Sequence, residues 1–160
     1  MEKQILSILE RDARTAPEKI AVMLGKPEAA IAKAIEDMEK RGVIRRYKTV
    51  IDWEKAGKER VFAFIDVRVT PSRGVGYDEI AGRIYKYPEV HSVYLVSGDY
   101  DLRVVVEGKT MQEVAFFVAE RLATLDGVLS TRTNFLLKKY KDDGDIFEEP
   151  GEDYRLAVAP

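Results

Sequence analysis

The sequence predicts an α+β chain in two parts, a helical N-terminal segment followed by a longer segment in which strands and helices alternate. Three observations carry this. Ile31, Ala34, Ile35 and Met38 fall at i, i+3, i+4 and i+7, the spacing of one helix face. Residues 61–69 alternate with a period of two, the mark of a half-buried strand. Helix-period and strand-like runs then follow one another to about residue 140. With 160 residues, 46% of them hydrophobic and 34% charged, the composition fits one or two globular domains and excludes a disordered or collagen-like chain.

The first helix is predicted over residues 2–12, where Ile5, Ile8 and Leu9 recur at helical spacing. Thr15 with Glu18 reads as a capping box, the hydroxyl accepting a backbone N–H while the carboxylate reaches back. It opens a short second helix with Ile20, Met23 and Leu24 facing inward and a stop at Gly25. Pro27 suits the first turn of a third helix, where its missing N–H is not needed. Gly42 ends that helix as a left-handed residue just beyond the cap. Residues 43–51 are β-branched and aromatic and are predicted to form a strand. A helix, two helices about a tight glycine turn and a strand describe a winged helix-turn-helix, whose second paired helix enters the major groove of DNA.

In the second part, residues 61–69 place Val61, Ala63, Ile65, Val67 and Val69 on one face, with Phe62, Phe64, Asp66 and Arg68 on the other. Thr70 to Gly74 break this strand, and a helix through Ile80, Ala81 and Ile84 ends before Pro88. A strand over residues 90–97 meets the turn signal Gly98-Asp99 and returns over residues 101–107. Thr110 with Glu113 forms a second capping box, and Met111, Val114, Val118, Leu122 and Leu125 continue one apolar stripe. A last strand is predicted over residues 128–140. The order β-α-β-β-α-β is that of a ferredoxin-like domain, with helices on one face of the sheet only. Phe62 and Phe64 on the uncovered face predict a second copy to bury them, hence a homodimer.

Charge divides the chain further. The net charge of −2 is the sum of +3 over residues 1–60, +1 over residues 61–141 and −6 over residues 142–160. The body is mildly basic, and the acidity belongs to the tail. The expected organisation is a DNA-binding domain at residues 1–51, a linker at 52–59, a ferredoxin-like oligomerisation domain at 60–141, to which the family resemblance given below adds effector binding, and an acidic extension at 142–160. Residues 154–158 of that extension are apolar enough to add as an edge strand or to pack on a neighbouring subunit. With one His and no Cys, neither a disulfide framework nor a usual zinc site is expected, and no cofactor is implied. No apolar run reaches the roughly 18 residues of a bilayer span. Met1-Glu2-Lys3-Gln4 does not open a signal peptide, so a cytoplasmic location is expected.

The outward face of the third helix supplies the candidate DNA contacts. Lys26, Lys33 and Lys40 fall nearly on one line opposite Ile31 and Ile35, with small Ala29 between them. A small side chain lets the backbone approach the groove, and lysines reach phosphates. Arg41, Arg45 and Arg46 extend the basic patch, while Glu36 and Asp37 on or beside the same face oppose it.

The helix-turn-helix, the junction Gly42-Val43-Ile44, the hairpin Tyr94-Leu95-Val96-Ser97-Gly98-Asp99-Tyr100-Asp101 and the strand Val128-Leu129-Ser130-Thr131-Arg132-Thr133 occur in this order. Together they resemble the feast/famine regulators of the Lrp/AsnC family over about residues 2–141. The resemblance implies a transcription regulator that binds double-stranded DNA. It also implies dimerisation through a RAM-type sheet domain, often with assembly into octamers, and an amino-acid effector bound between dimers. Carried onto this chain, it implies an effector site at Gly98, Asp99, Tyr100 and Asp101, with Thr131 and Thr133 on the adjoining last strand. The chemistry is suitable: Asp99 or Asp101 can accept from an ammonium group, and hydroxyls and backbone N–H groups can donate to a carboxylate. The chain departs from the family pattern at Pro27, which takes the usual serine cap position, and at Ala34, Glu36 and Asp37, where basic residues are common.

The expected function is therefore sequence-specific DNA-binding regulation tuned by a small effector. The alternative is an amino-acid-sensing oligomeric interaction protein with a degenerate helix-turn-helix, which Glu36 and Asp37 motivate. Some relatives of this architecture decarboxylate sirohaem with stretches rich in His and Trp. Here only His91 and Trp53 are present, neither in such a motif, so no catalytic residue and no enzyme are expected.

Overall fold

The computed structural model describes residues 1–71, 73 and 76–147 of the chain. Two compact units result, one of Met1–Ile51 and one that begins at Asp52.

The first unit holds α1 (Glu2–Arg11), α2 (Pro17–Leu24) and α3 (Glu28–Lys40). Ile5, Ile20, Ile31 and Met38 are wholly buried at its centre, with Leu9, Ala21 and Ala34 beside them. Gly25 (φ 61°) ends α2 in the left-handed region, and Gly42 (φ 69°) follows α3 in the same conformation. Three local expectations are corrected. Thr15 caps nothing: Pro17 stands at the first helical position, which puts Ala16 at the cap, and Ala16 has no side chain that could accept. Met23 is 58% exposed, because the inward positions of α2 are Ile20 and Ala21. Residues 43–51 form no strand, although Ile44 packs against the core. A β-branched run needs a neighbouring ladder, and none of the described residues of this unit supplies one.

The second unit holds β1 (Val61–Val69), α4 (Asp78–Ile84), β2 (Val90–Leu95), β3 (Leu102–Gly108), α5 (Met111–Phe117) and β4 (Val128–Phe135). The sheet runs β2-β3-β1-β4, each neighbouring pair antiparallel, as the ferredoxin-like order requires. Ala63, Ile65, Val67 and Val69 of β1 point into the core with Leu102, Val104 and Val106 of β3. Ile80 and Ile84 of α4 and Val114 and Phe117 of α5 cover that face, as the alternation in β1 anticipated. Met111 leaves the predicted stripe, being exposed at the start of α5. The Thr110 cap forms as expected, its hydroxyl accepting from Glu113 N–H at 3.1 Å, while Glu113 reaches back to Lys109 N–H at 2.8 Å. After Phe117 the helix widens into a π-turn over Val118–Leu122, closed by Ala123 N–H donating to the Val118 carbonyl.

On the uncovered face, Phe64 stays 36% exposed, whereas Asp66 is only 6% exposed. Arg103 Nε and a terminal nitrogen both reach one Asp66 oxygen at 2.8 Å, and Asn134 Nδ2 donates to the other at 3.4 Å. The predicted last strand ends at Phe135. Beyond it a short hairpin pairs β5 (Lys141–Asp142) with β6 (Asp145–Ile146) across Asp143 and Gly144, both at positive φ. Residues 154–158, expected to add as an edge strand or to pack on a neighbouring subunit, lie outside the described residues.

Gly127 joins the π-turn to β4 at φ 89°, and a Cβ there would meet Ile80 Cδ1 at 2.7 Å. Gly127→Ala therefore combines backbone strain with a core clash and should lower unfolding free energy by about 1–3 kcal/mol in denaturant titration.

Candidate DNA-binding face and effector hairpin

The buried stripe Ile31, Ala34 and Met38 sets the orientation of α3 within its unit. At about 100° per residue, Ala29 and Lys40 lie within about 30° of the opposite direction and Lys33 within about 50°. All three are exposed, as are Lys26, Arg41, Arg45 and Arg46. The candidate residues differ in how committed they are. Lys40 Nζ donates to the Glu36 carboxylate one turn earlier. That hydrogen bond, then the Lys40 charge, then Lys33 hold the Glu36 carboxyl below its ordinary value. Arg41 donates to Glu2 of α1 at 2.7 Å and to the Asp37 carbonyl at 3.3 Å. Lys26, Lys33, Arg45 and Arg46 form no ion pair among the described residues. The patch thus offers four uncommitted cations and two held by carboxylates. Pairs so exposed are worth little and exchange readily.

Tyr47 anchors the segment after α3. Its hydroxyl donates to Glu39 Oε1 at 2.8 Å. Burial and then the Glu39 carboxylate push its pKa up to about 12.

In the second unit the candidate hairpin joins β2 to β3. Gly98 takes φ 134°, and Val96 N–H donates to the Asp101 carbonyl at 2.9 Å. The two aspartates have separate situations. Asp101 is structural: Val69 N–H donates to its Oδ2 at 2.9 Å, the Tyr77 hydroxyl approaches Oδ1 at 3.4 Å, and its own N–H donates to the Val67 carbonyl. The Asp99 carboxylate takes no hydrogen bond from the described residues, but its backbone carbonyl accepts from Arg68 Nε and a terminal Arg68 nitrogen at 3.1 and 2.6 Å. The same guanidinium lies 5.5 Å from the centre of the Tyr100 ring. Thr131 and Thr133 are half-buried on β4, opposite Val67 and Ile65 of β1. Because β1 stands between β3 and β4, these threonines are one strand removed from the hairpin, about 10 Å at ordinary strand spacing.

Arg68, Tyr77 and Glu2 shape these sites without a local signal, since their partners lie 31, 24 and 39 residues away. His91 and Trp53 are occupied otherwise. The His91 ring meets Phe62 edge-on at 5.7 Å, and Trp53 carries Arg60 over its face at 4.1 Å.

A family described as the Lrp/AsnC ligand binding domain matches residues 62–146, and one described as winged helix-turn-helix DNA-binding matches residues 1–45. The uncharacterized HTH-type transcriptional regulator YugG of Bacillus subtilis is 52% identical over 160 residues, covering 99% of this chain and 96% of its own. The HTH-type transcriptional regulator FL11 of Pyrococcus horikoshii is 32% identical over 146 residues, covering 91% and 93%. Among solved structures, the leucine response regulatory protein of Mycobacterium tuberculosis shares the fold with a TM-score of 0.75 at 23% identity, covering 90% of this chain and 95% of its own. A transcriptional regulator of Neisseria meningitidis in complex with L-Met does so with a TM-score of 0.72 at 22% identity, covering 88% and 90%.

The Tyr47 phenol gives a pH signature. Its folded pKa of about 12 exceeds the ordinary 10.0, so its contribution to stability is complete below pH 10.0 and is lost as pH rises to about 12. Titration of phenolate absorbance should show a late step near pH 12 that Tyr47→Phe removes.

Proposed function

The chain belongs to the Lrp/AsnC family of transcriptional regulators, with a DNA-binding helix-turn-helix and a ligand-binding sheet domain; from that premise we propose that it recognises a specific operator through α3 and is tuned by an amino acid bound at the Gly98 hairpin. The observation that carries the DNA half is the exposed face of α3, where small Ala29 permits close approach and Lys33 stands uncommitted. Lys26, Arg45 and Arg46 supply further phosphate contacts, and Lys40 and Arg41 join them once released from Glu36 and Glu2. A two-fold dimer presents two such helices to half-sites one helical turn, or a multiple of it, apart. The uncovered sheet face, with Phe62 and Phe64, supports that dimer, and a higher homo-oligomer such as an octamer follows the family pattern.

For the effector half, the uncommitted Asp99 carboxylate suits an ammonium group, while Gly98 lets the ligand approach the backbone closely. Tyr100 lines the same turn, Asp101 holds the turn in place, and Thr131 and Thr133 serve as hydroxyl donors across β1. The L-Met complex of the Neisseria regulator supports an amino acid as the class. Binding at a contact between dimers shifts the assembly equilibrium by as much as the ligand prefers one assembly. The protein acts in the cytoplasm, on double-stranded DNA, and its role is binding without a catalytic step. The paired state of Lys40 and Arg41 favours the second reading, an amino-acid sensor with little DNA affinity, and the same experiment decides between them.

Fluorescence anisotropy with the protein's own promoter should give binding at least about 10³-fold tighter than random duplex at moderate salt. Equal binding to both would leave the sensor reading. Thermal-shift screening of the amino acids should find a stabilising ligand whose effect disappears in Asp99→Ala. A shift that survives this substitution would place the ligand elsewhere.

A further inference from the structure

The DNA-facing side of α3 carries an acid near its centre. Relative to the buried stripe Ile31, Ala34 and Met38, Glu36 points within about 20° of the outward direction, whereas Asp37 is turned about 90° away. Glu39, on the other flank, is engaged by the Tyr47 hydroxyl. Ala29 and Ala32 are small, so the groups on this face able to meet a base edge are the Lys33 and Lys40 ammonium groups and the Glu36 carboxylate. Glu36 is the acceptor among them. Near phosphates a carboxylate is repelled, and its pairing with Lys40 offsets the field of that ammonium. The place in a duplex where an ionised carboxylate is attractive is a donor on a base edge, and in the major groove the amino group of cytosine is the better match, because that of adenine sits beside the N7 acceptor, which repels a carboxylate. Lys40 then has two roles in sequence. Free in solution, it holds the Glu36 side chain along the helix; on DNA, it turns to a phosphate.

We propose that Glu36 is a specificity-determining residue that accepts a hydrogen bond from the N4 amino group of a cytosine in each operator half-site. This rests on the regulator reading above. The test is selection of bound duplexes from a random-sequence library by the full chain, its Glu36→Gln variant and its Lys40→Ala variant. The wild-type protein should enrich a site with a fixed C·G pair in each half. Glu36→Gln should move the preference at that one position towards adenine, whose N6 and N7 a glutamine amide matches. Changing the cytosine should weaken wild-type binding roughly 5- to 150-fold, and the Glu36→Gln variant much less. Lys40→Ala should weaken all sequences alike and flatten the salt dependence without moving the preference. Enrichment of the same site by wild type and Glu36→Gln overturns the assignment and leaves the regulator reading standing. Failure of the wild-type protein to enrich any site overturns both.

Discussion

The sheet domain depends on β1 and on the hydrogen bonds that its end makes beyond the ladder. β1 is paired on both edges, to β3 and β4, and its inward face from Ala63 to Val69 is buried under α4 and α5. Its C-terminal end holds the β2–β3 hairpin, the candidate effector site, through three consecutive residues. The Val67 carbonyl accepts from Asp101 N–H, Arg68 donates to the Asp99 carbonyl, and Val69 N–H donates to the Asp101 carboxylate. Burial of the apolar face gives β1 one register, and that register sets the hairpin. A turn fixed in this way would pay little ordering entropy on binding the proposed effector.

The helix-turn-helix follows the same logic with fewer residues. Ile31, Ala34 and Met38 decide which side of α3 faces outward. The left-handed glycines at 25 and 42 let the chain reverse at the end of α2 and just past α3. The outward side is electrostatically mixed. Pairing of Lys40 with Glu36 and of Arg41 with Glu2 lowers the field that the patch presents to phosphates at a distance. On the proposed DNA-binding reading, discrimination between sequences then weighs more in total binding than attraction to arbitrary DNA.

Much of this was legible in the residues because it depends on local periodicity. The alternation of residues 61–69 assigned the two faces of β1, and the Thr110 capping box marked the start of α5. Gly98-Asp99 located the hairpin, and the order of elements predicted the sheet topology. Local pattern misled where a neighbour decides the outcome. Thr15 matched a cap motif that Pro17 displaced by one position, and Met23 fell outside the inward arc that Ile20 and Ala21 define. Residues 43–51 had strand composition but no ladder to join.

By itself the sequence determined the fold class, the two-part organisation, the outward face of α3 and the hairpin, because side-chain periodicity and turn chemistry act over a few residues. Tertiary structure decided which members of each set are free. Asp99 and Asp101 are two positions apart and chemically identical, yet Asp101 is tied to Val69 and Tyr77 while its neighbour keeps an open carboxylate. Lys33 stands uncommitted, whereas Arg41 at the end of α3 is held by Glu2. Hydrogen bonds and ion pairs join groups that folding brings within about 3 Å, and partners 24 to 39 residues distant leave no trace in the spacing of a motif.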